Sequence, residues 1–311
     1  MDFTMRQQGG GAISCISRRR FRCLRALTRS GFDVNDQVMK KYAICNELFG
    51  KMSFTDCCAL LQRHGYRGVE IAPFTLFDDP GTFTSAQVGE IQNILEDHDL
   101  EFTGLHWLFL KPEGLHITTA DENIRRRSWD HLKRLVDLAG QLGGGVLVLG
   151  SPKQRNSLGM SRERAAANLE EGLRSLADFT ARRNCTILLE SLSPDQTDVI
   201  NSLAEAEESI SRIGHPAIQG IFDFHNCANE AESWEDLIEE HYPVIRHVHL
   251  NEVNGSWPGT GSSDFLPAFK KLAEKDYAGW ISLEIFHLPE DPARVLQETR
   301  DFLDRTIAAL G

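Results

Sequence analysis

The stretch IRHVHLNEVN, residues 245–254, joins an apolar run that carries two histidines to a polar segment. Side chains alternate along a strand, so His247 and His249 face one side while Val248 and Leu250 face the other. In barrel enzymes, catalytic groups and metal ligands lie at the carboxyl ends of the strands. A histidine among apolar neighbours is more often a hydrogen-bonded core residue. This stretch alone therefore does not establish a site.

Three other apolar runs end in an acidic residue. Glu190 closes CTILLE, Asp223 closes IQGIFD and Glu284 closes WISLE. Each acid taken alone would be a solvated strand end. Two Glu, one Asp and one His on consecutive strands instead suit a hard divalent cation. The pattern predicts one metal site whose ligands are Glu190, Asp223, His249 and Glu284.

From residue 42 onward, short apolar runs alternate with amphipathic segments. Strands are predicted at residues 42–45, 68–72, 102–107, 146–149, 186–190, 218–223, 245–250 and 280–284. Helices are predicted at residues 53–64, 85–98, 121–141, 161–183, 204–213, 233–241, 264–274 and 291–310. Eight such units in about 270 residues predict a single-domain α/β fold, the (β/α)8 TIM barrel. A doubly wound open sheet is disfavoured, because candidate functional residues end most strands rather than one switch point.

The composition excludes several classes of binding partner. The chain has 311 residues, 41% of them hydrophobic and 25% charged, as in a soluble globular protein. A formal net charge of −12 opposes nucleic-acid binding, and no apolar stretch is long enough to span a membrane. No GxGxxG or GxxxxGK[ST] motif indicates a nucleotide. Seven cysteines, two of them the adjacent Cys57 and Cys58, predict a reducing, cytoplasmic setting.

Residues 1–38 differ from the rest of the chain. They contain seven Arg, no Lys and three consecutive Gly. The continuous apolar core of a secretory signal is missing, so we expect a disordered tail before a barrel domain at residues 39–311. Two alternatives are a start of translation at Met39, with the upstream residues misassigned, and an organelle transit peptide.

The alternation of side chains supports the metal site. The residues two positions before the three acids share their direction, and they are Leu188, Ile221 and Ser282. If the acids point into the barrel, each carboxylate lies above an apolar or small side chain. Such a carboxylate costs free energy unless it is paired or bound to a metal.

These motifs resemble the xylose-isomerase-like sugar isomerase/epimerase superfamily, and their pattern is most similar to the ketose 3-epimerases. The resemblance covers about residues 42–310 and rests on ILLE, FDFHN, HVHLNEVN with PGTG, and SLEIF. It implies that the four predicted ligands bind one divalent cation, Mn²⁺, Mg²⁺ or Co²⁺, with Zn²⁺ as an alternative. It also implies that Glu190 and Glu284 double as the catalytic acid/base pair.

The chemistry agrees with this resemblance. Epimerisation beside a ketone requires a C–H proton to leave one face and return to the other. A divalent cation stabilises the enediolate as a Lewis acid, and two carboxylates supply the base and the acid. The second ring nitrogen of His249 should be held by an acceptor. We therefore expect a metal-dependent isomerase or epimerase that acts on a ketose or keto-sugar.

Departures from the family pattern affect the substrate contacts. Family members often have a His three residues after the strand-six Asp. Here His225 lies two residues after Asp223 and Asn226 lies three after it, so both are substrate-binding candidates. Ketose epimerases have an Arg where this chain has Gly255, which puts one sugar contact in doubt. Arg155, in the loop SPKQR, is a candidate replacement.

Other candidates follow the remaining strands. Glu70 ends strand two and His106 ends strand three, where both could bind substrate. The adjacent Trp107 is either a wall for a sugar or a core residue. Trp257, in the glycine-rich loop SWPGTG, is a candidate lid residue. Glu47 follows strand one at the same rim.

Other activities remain open at this stage. A lyase of the same superfamily, acting on a keto-inositol or on dehydroshikimate, would use a similar site. An apurinic-site endonuclease would need three zinc ions and further His ligands, and the acidic surface opposes DNA. A non-catalytic barrel is disfavoured by the presence of both Glu190 and Glu284. A small-molecule sugar is the expected partner, and a homo-oligomer is an open alternative.

Overall fold

The computed structural model describes residues 41–310, so the tail and the alternative start at Met39 lie outside the described residues. Eight parallel strands form a closed barrel in chain order, with β1 hydrogen-bonded to β8. The predicted TIM barrel is confirmed. The strands are β1 Tyr42–Cys45, β2 Gly68–Ile71, β3 Glu101–Leu105, β4 Gly145–Leu149, β5 Cys185–Leu189, β6 Ile218–Asp223, β7 Ile245–Leu250 and β8 Ile281–Leu283.

Helices follow the strands. They are α1 Phe54–Arg63, α2 Ser85–Asp97, α3 Glu122–Gln141, α4 Arg162–Arg182, α5 Leu203–Ile213, α6 Phe224–Cys227, α7 Trp234–His241, α8 Leu266–Glu274 and α9 Pro292–Ala308. Most begin after a Ser, Thr or Asp whose side chain accepts a backbone N–H of the first turn. Such caps satisfy donors that have no partner within the helix. Within residues 41–310, no helix combines the length and the apolar character needed to cross a bilayer.

The inside of the barrel has one apolar wall and one polar wall. Val148, Leu188 and Ile221, on β4 to β6, form a small apolar cluster of their own. Leu188 and Ile221 therefore face inward, as their spacing from the acids predicts. The opposite wall, on β7, β8 and β2, contributes the buried polar side chains His247, Ser282 and Glu70. The predicted metal ligands lie above this divided interior.

Strand ends differ from prediction by one or two residues. Strand β3 stops at Leu105, because Trp107 turns away in a left-handed conformation with φ of 52°. Glu190 and Glu284 are the first residues after β5 and β8. Their N–H groups still donate to carbonyls of neighbouring strands, 3.4 Å to Leu149 O and 3.3 Å to Leu250 O. Both carboxylates therefore start from backbone held by the barrel rim.

Candidate metal centre and catalytic cavity

The four predicted ligands meet at the carboxyl end of the barrel. Their ligand atoms all lie within 4.8 Å of one another, and all four side chains are buried. His249 Nδ1 lies 2.9 Å from Glu284 Oε2, 3.7 Å from Asp223 Oδ2 and 4.0 Å from Glu190 Oε1. One nitrogen and three carboxylates at this spacing form a donor set for one divalent cation.

Glu70 holds the imidazole of His249 in place. Its Oε1 lies 3.1 Å from His249 Nε2, and its Oε2 lies 2.7 Å from His247 Nε2. An ionised carboxylate only accepts hydrogen bonds, so both Nε2 atoms carry protons. Nδ1 of His249 is buried and makes no hydrogen bond to the described part of the chain. Burial opposes the charge of His249, but Glu70 and Glu284 hold its pKa well above the ordinary value, so a cation bound at Nδ1 would displace a proton.

The charges at the site fit a cation. Burial opposes ionisation of Glu70, but the adjacent His249 and His247 hold its pKa well below the ordinary value. Burial raises the pKa of Glu190 to about 8, and Asp223 and Glu284 add to this increase. Clustered buried carboxylates repel one another, and a divalent cation between them removes that repulsion. The residues present therefore fit the predicted ion.

Two asparagines fix the acids on β5 and β6. Asp223 Oδ1 accepts the backbone N–H of Asn226 at 2.7 Å, and this contact also caps α6. Asp223 Oδ2 accepts from Asn251 Nδ2 at 3.1 Å. Asn226 Nδ2 donates to Glu190 Oε1 at 3.3 Å. Asp223 and Glu190 are thus held by donors that do not neutralise their charge.

A cavity of about 440 Å³ is lined by two of the four predicted ligands, Glu190 and Glu284. That volume suits a small molecule such as a monosaccharide. Four of the predicted substrate-binding residues line it, together with Glu190 and Glu284: His106, Trp107, His225 and Asn226. Its mouth also carries apolar residues, Leu110, Leu192 and Phe286. The cavity thus combines carboxylates at its base with polar and apolar walls.

The cavity histidines are anchored by neighbouring polar atoms. His106 Nε2 lies 2.6 Å from Glu47 Oε2. Glu47, which follows β1, thus holds the ring of His106, which follows β3. His225 Nδ1 lies 2.7 Å from Val253 O and must donate to this carbonyl. In neutral His225, Nε2 is therefore a hydrogen-bond acceptor.

The indole of Trp107 lies against a predicted acid/base residue. Trp107 Nε1 donates to Glu284 Oε1 at 3.1 Å. The ring packs edge-on against Phe74, with centroids 6.4 Å apart. Trp107 is 40% exposed, so it is a cavity wall rather than a core residue.

Comparison with known proteins identifies the family of the chain. The profile described as xylose isomerase-like TIM barrel matches residues 58–306, most of the chain. The chain belongs to the xylose isomerase-like TIM-barrel family.

Several family members are similar over most of their length. A 3-dehydro-D-guloside 4-epimerase of Escherichia coli K12 is 24% identical over 62% of this chain and 81% of its own length. A probable ketose 3-epimerase of Synechocystis is 24% identical over 83% of this chain and 85% of its own. A D-psicose 3-epimerase structure, 17% identical, superimposes with a TM-score of 0.76 over 87% of this chain and 99% of its own, and shares the fold. These similarities identify an isomerase-type enzyme.

Three predicted substrate-binding residues do not line the cavity, and their side chains have other partners. Glu70 is fully buried, and its carboxylate is occupied by the two histidines of β7. Arg155 is also fully buried, and its Nη1 donates to Leu149 O at 2.9 Å. Trp257 donates from Nε1 to Glu298 Oε2 on α9 at 2.8 Å, so its ring is fixed away from the cavity.

Sequence reasoning missed some residues that shape the site. Asn251 and Phe286 each lie two positions after a predicted ligand, so the period of two could have indicated both. Gln196 reaches Asn226 Oδ1 at 3.0 Å from the loop after β5. No local pattern in that loop indicates this contact.

Gly150 leaves room for the carboxylate of Glu190. A Cβ at Gly150 would lie 2.2 Å from Glu190 Oε2. We expect Gly150→Ala to displace the carboxylate and lower kcat by about 10- to 100-fold, since small misplacements of reacting groups are costly. Steady-state kinetics with thermal melting checks this.

Gly220→Ala is the matched control for Gly150→Ala. A Cβ at Gly220 on β6 would meet its neighbours at 3.5 Å, an ordinary contact. We expect this variant to keep kcat. If Gly150→Ala also keeps it, Gly150 does not position Glu190.

Proposed function

We propose that this protein is a divalent-metal-dependent epimerase of a ketose or keto-sugar, in which Glu190 and Glu284 exchange protons with the substrate. The observation that carries the proposal is the donor set of Glu190, Asp223, His249 and Glu284 at the base of a 440 Å³ cavity. The epimerase relatives agree with it, and one of them is named for a guloside, a sugar that carries a substituent.

The cation would be held by those four residues, with His249 bound through Nδ1. When bound, a divalent cation such as Mn²⁺, Mg²⁺ or Co²⁺ supplies a Lewis acid for the ketone and the enediolate. The protein itself orients the ligands: Glu70 fixes the tautomer of His249, and Asn251 and Asn226 direct Asp223.

Glu190 and Glu284 serve as the two proton carriers. They extend from β5 and β8, three strands apart in the barrel order, and both line the cavity. A substrate between them would present opposite faces of one carbon to the two carboxylates. Asn226 donates to Glu190 and Trp107 donates to Glu284, so each carboxylate keeps a fixed direction. Removal of a proton by one and return by the other inverts the carbon.

Substrate hydroxyl groups would bind to the cavity histidines. His106 lines the cavity, and its ring is fixed by the hydrogen bond from Nε2 to Glu47. Neutral His225 offers Nε2 as an acceptor, because Nδ1 donates to Val253 O. Trp107 and Phe286 would cover apolar faces of the sugar and exclude water from the reacting carbon.

A deuterium-exchange experiment tests the proposal. The protein is incubated with Mn²⁺ in D₂O and with D-fructose, methyl 3-dehydro-D-glucoside or 2-keto-myo-inositol. We expect an epimer whose mass rises by one unit for one of these sugars. A product lighter by one water would indicate a dehydratase instead. No exchange and no product with any of them would contradict the proposal for these sugar classes.

Glu70→Gln should weaken metal binding. The neutral amide can accept from only one imidazole, so the tautomer of His249 is no longer fixed. We expect Kd for Mn²⁺, measured by calorimetry, to rise about 10- to 100-fold. Glu47→Gln is the matched control, because its partner His106 lies outside the proposed ligand set. Equal Kd values for Glu70→Gln and the unmodified protein would contradict the positioning role.

A further inference from the structure

A second hollow lies beside the catalytic cavity, and we call it the apolar annex. It has a volume of about 400 Å³. Apolar residues that follow β1, β2, β3 and β8 form most of its lining, and the charged side chains of Glu47 and Lys51 also border it. This volume is close to that of the catalytic cavity, so it can hold a further chemical group.

The annex concentrates apolar side chains that are exposed to solvent. Trp107, Leu110, Phe286 and Leu288 are 40%, 43%, 43% and 68% exposed. They make up half of the large apolar side chains that are exposed within residues 41–310. Exposed apolar patches of this kind mark ligand or protein contacts.

The annex and the catalytic cavity share walls. Trp107, Leu110 and Phe286 line both hollows. The indole of Trp107 also contacts the carboxylate of Glu284, so the shared wall begins at the proposed reacting groups. A substituent on a sugar in the cavity therefore meets the apolar lining without leaving the ligand site. This continuity favours part of the substrate over a separate ligand.

Gly255 leaves room for the aromatic ring of Phe286 in the shared wall. Gly255 has φ of 77°, and a Cβ there would lie 2.6 Å from Phe286 Cδ2. The Phe286 N–H also donates to Gly255 O at 3.0 Å. The ring of Phe286 thus packs against the backbone of Gly255 at the cavity wall. The ring offers an apolar surface to both hollows.

We propose that the annex binds an apolar, aromatic substituent of the substrate, so that the preferred substrate is an aryl-substituted keto-sugar rather than a free ketose. The inference rests on the proposed epimerase function. The flat rings of Trp107, Phe74 and Phe286 suit an aryl group.

Paired substrates with a variant test this inference. Phenyl and methyl 3-dehydro-D-glucoside are compared by deuterium exchange with Mn²⁺ in D₂O. Phenyl and methyl β-D-glucoside are compared by calorimetry, which needs no turnover. We expect the phenyl compound to have a kcat/KM about 10- to 100-fold higher than the methyl compound. We expect its Kd to be lower by the same factor. Leu288→Asp should remove this preference and leave the methyl compounds unchanged, because Leu288 lines the annex alone.

Leu158→Asp is the matched control. Leu158 is 60% exposed and lines neither hollow, so this variant should keep the phenyl preference. Equal kcat/KM and Kd for phenyl and methyl compounds would overturn the inference while leaving the epimerase function standing. A different result would contradict only the proposed epimerase function: neither keto-sugar exchanges deuterium, but phenyl glucoside still binds more tightly than methyl glucoside. If Leu288→Asp instead turns an oligomer into monomers in sedimentation, a second copy occupies the annex and the inference fails.

Discussion

Glu190→Gln and Glu284→Gln are each expected to lower kcat for epimer formation by about 10³-fold or more, with the fold unchanged. A Gln side chain keeps the size of Glu and can still offer an oxygen to a cation, but it cannot carry the proton. The two side chains line the same cavity from β5 and β8, so neither can replace the other at its face of the substrate. Epimer formation is measured by chromatography, and the fold by circular dichroism.

The two variants should also differ from each other. If the two carboxylates take protons from opposite faces of the carbon, each variant retains one of them. That carboxylate should still exchange the substrate proton for deuterium slowly, but in only one of the two epimers. Glu298→Gln is the control, because Glu298 contacts Trp257 and lies outside the cavity. Epimer formation above a tenth of the original kcat in either variant would remove that residue from the acid/base pair.

Removal of the metal is expected to abolish activity reversibly. EDTA should reduce kcat below detection, and excess Mn²⁺ should restore it, since the proposed chemistry needs a Lewis acid. Mn²⁺ at about 100 times its Kd should also stabilise the folded protein by about 2.7 kcal/mol, which raises Tm. Calorimetric scans with and without Mn²⁺ measure this shift.

The shift in Tm should depend on pH. Burial first, and then Asp223 and Glu284, raise the pKa of Glu190 from 4.5 to about 8 in the metal-free protein. At a pH between these two pKa values, Glu190 takes up a proton when the protein folds. The stability of the metal-free protein therefore falls as pH rises from about 5 to 8. Because Mn²⁺ replaces that proton, its effect on Tm should be larger at pH 8 than at pH 6. Full activity after exhaustive chelation, with no change in Tm, would contradict the metal site.

The fold and the convergence of the four proposed ligands could be predicted from the sequence, because both depend on local order. Eight alternating units specify the barrel, and residues at strand ends reach one rim whatever the loops do. The period of two also gave the inward direction of Leu188 and Ile221. Glu190 and Glu284 follow their strands by one residue, but backbone hydrogen bonds hold them at the rim.

The remaining residues depend on contacts between distant parts of the chain. The sequence places Glu70 at a strand end, yet only the closed barrel brings it to His247 and His249 on β7. Arg155 and Trp257 lie in loops whose path is set by packing, and both side chains turn to partners outside the cavity. A charged residue in the apolar run GVEIA was a usable sign that Glu70 needs a buried partner.

The divided interior of the barrel has a consequence for engineering. The pairs from Glu70 to His247 and His249 link β2 to β7 across the strands that close the ring, and His249 is itself a proposed ligand. Redesign on that side would therefore disturb barrel closure and ion affinity together. The side formed by Val148, Leu188 and Ile221 makes no such link, but Val148 lines the catalytic cavity and the other two lie beneath Glu190 and Asp223, so repacking there would shift the proposed reacting groups without affecting ring closure.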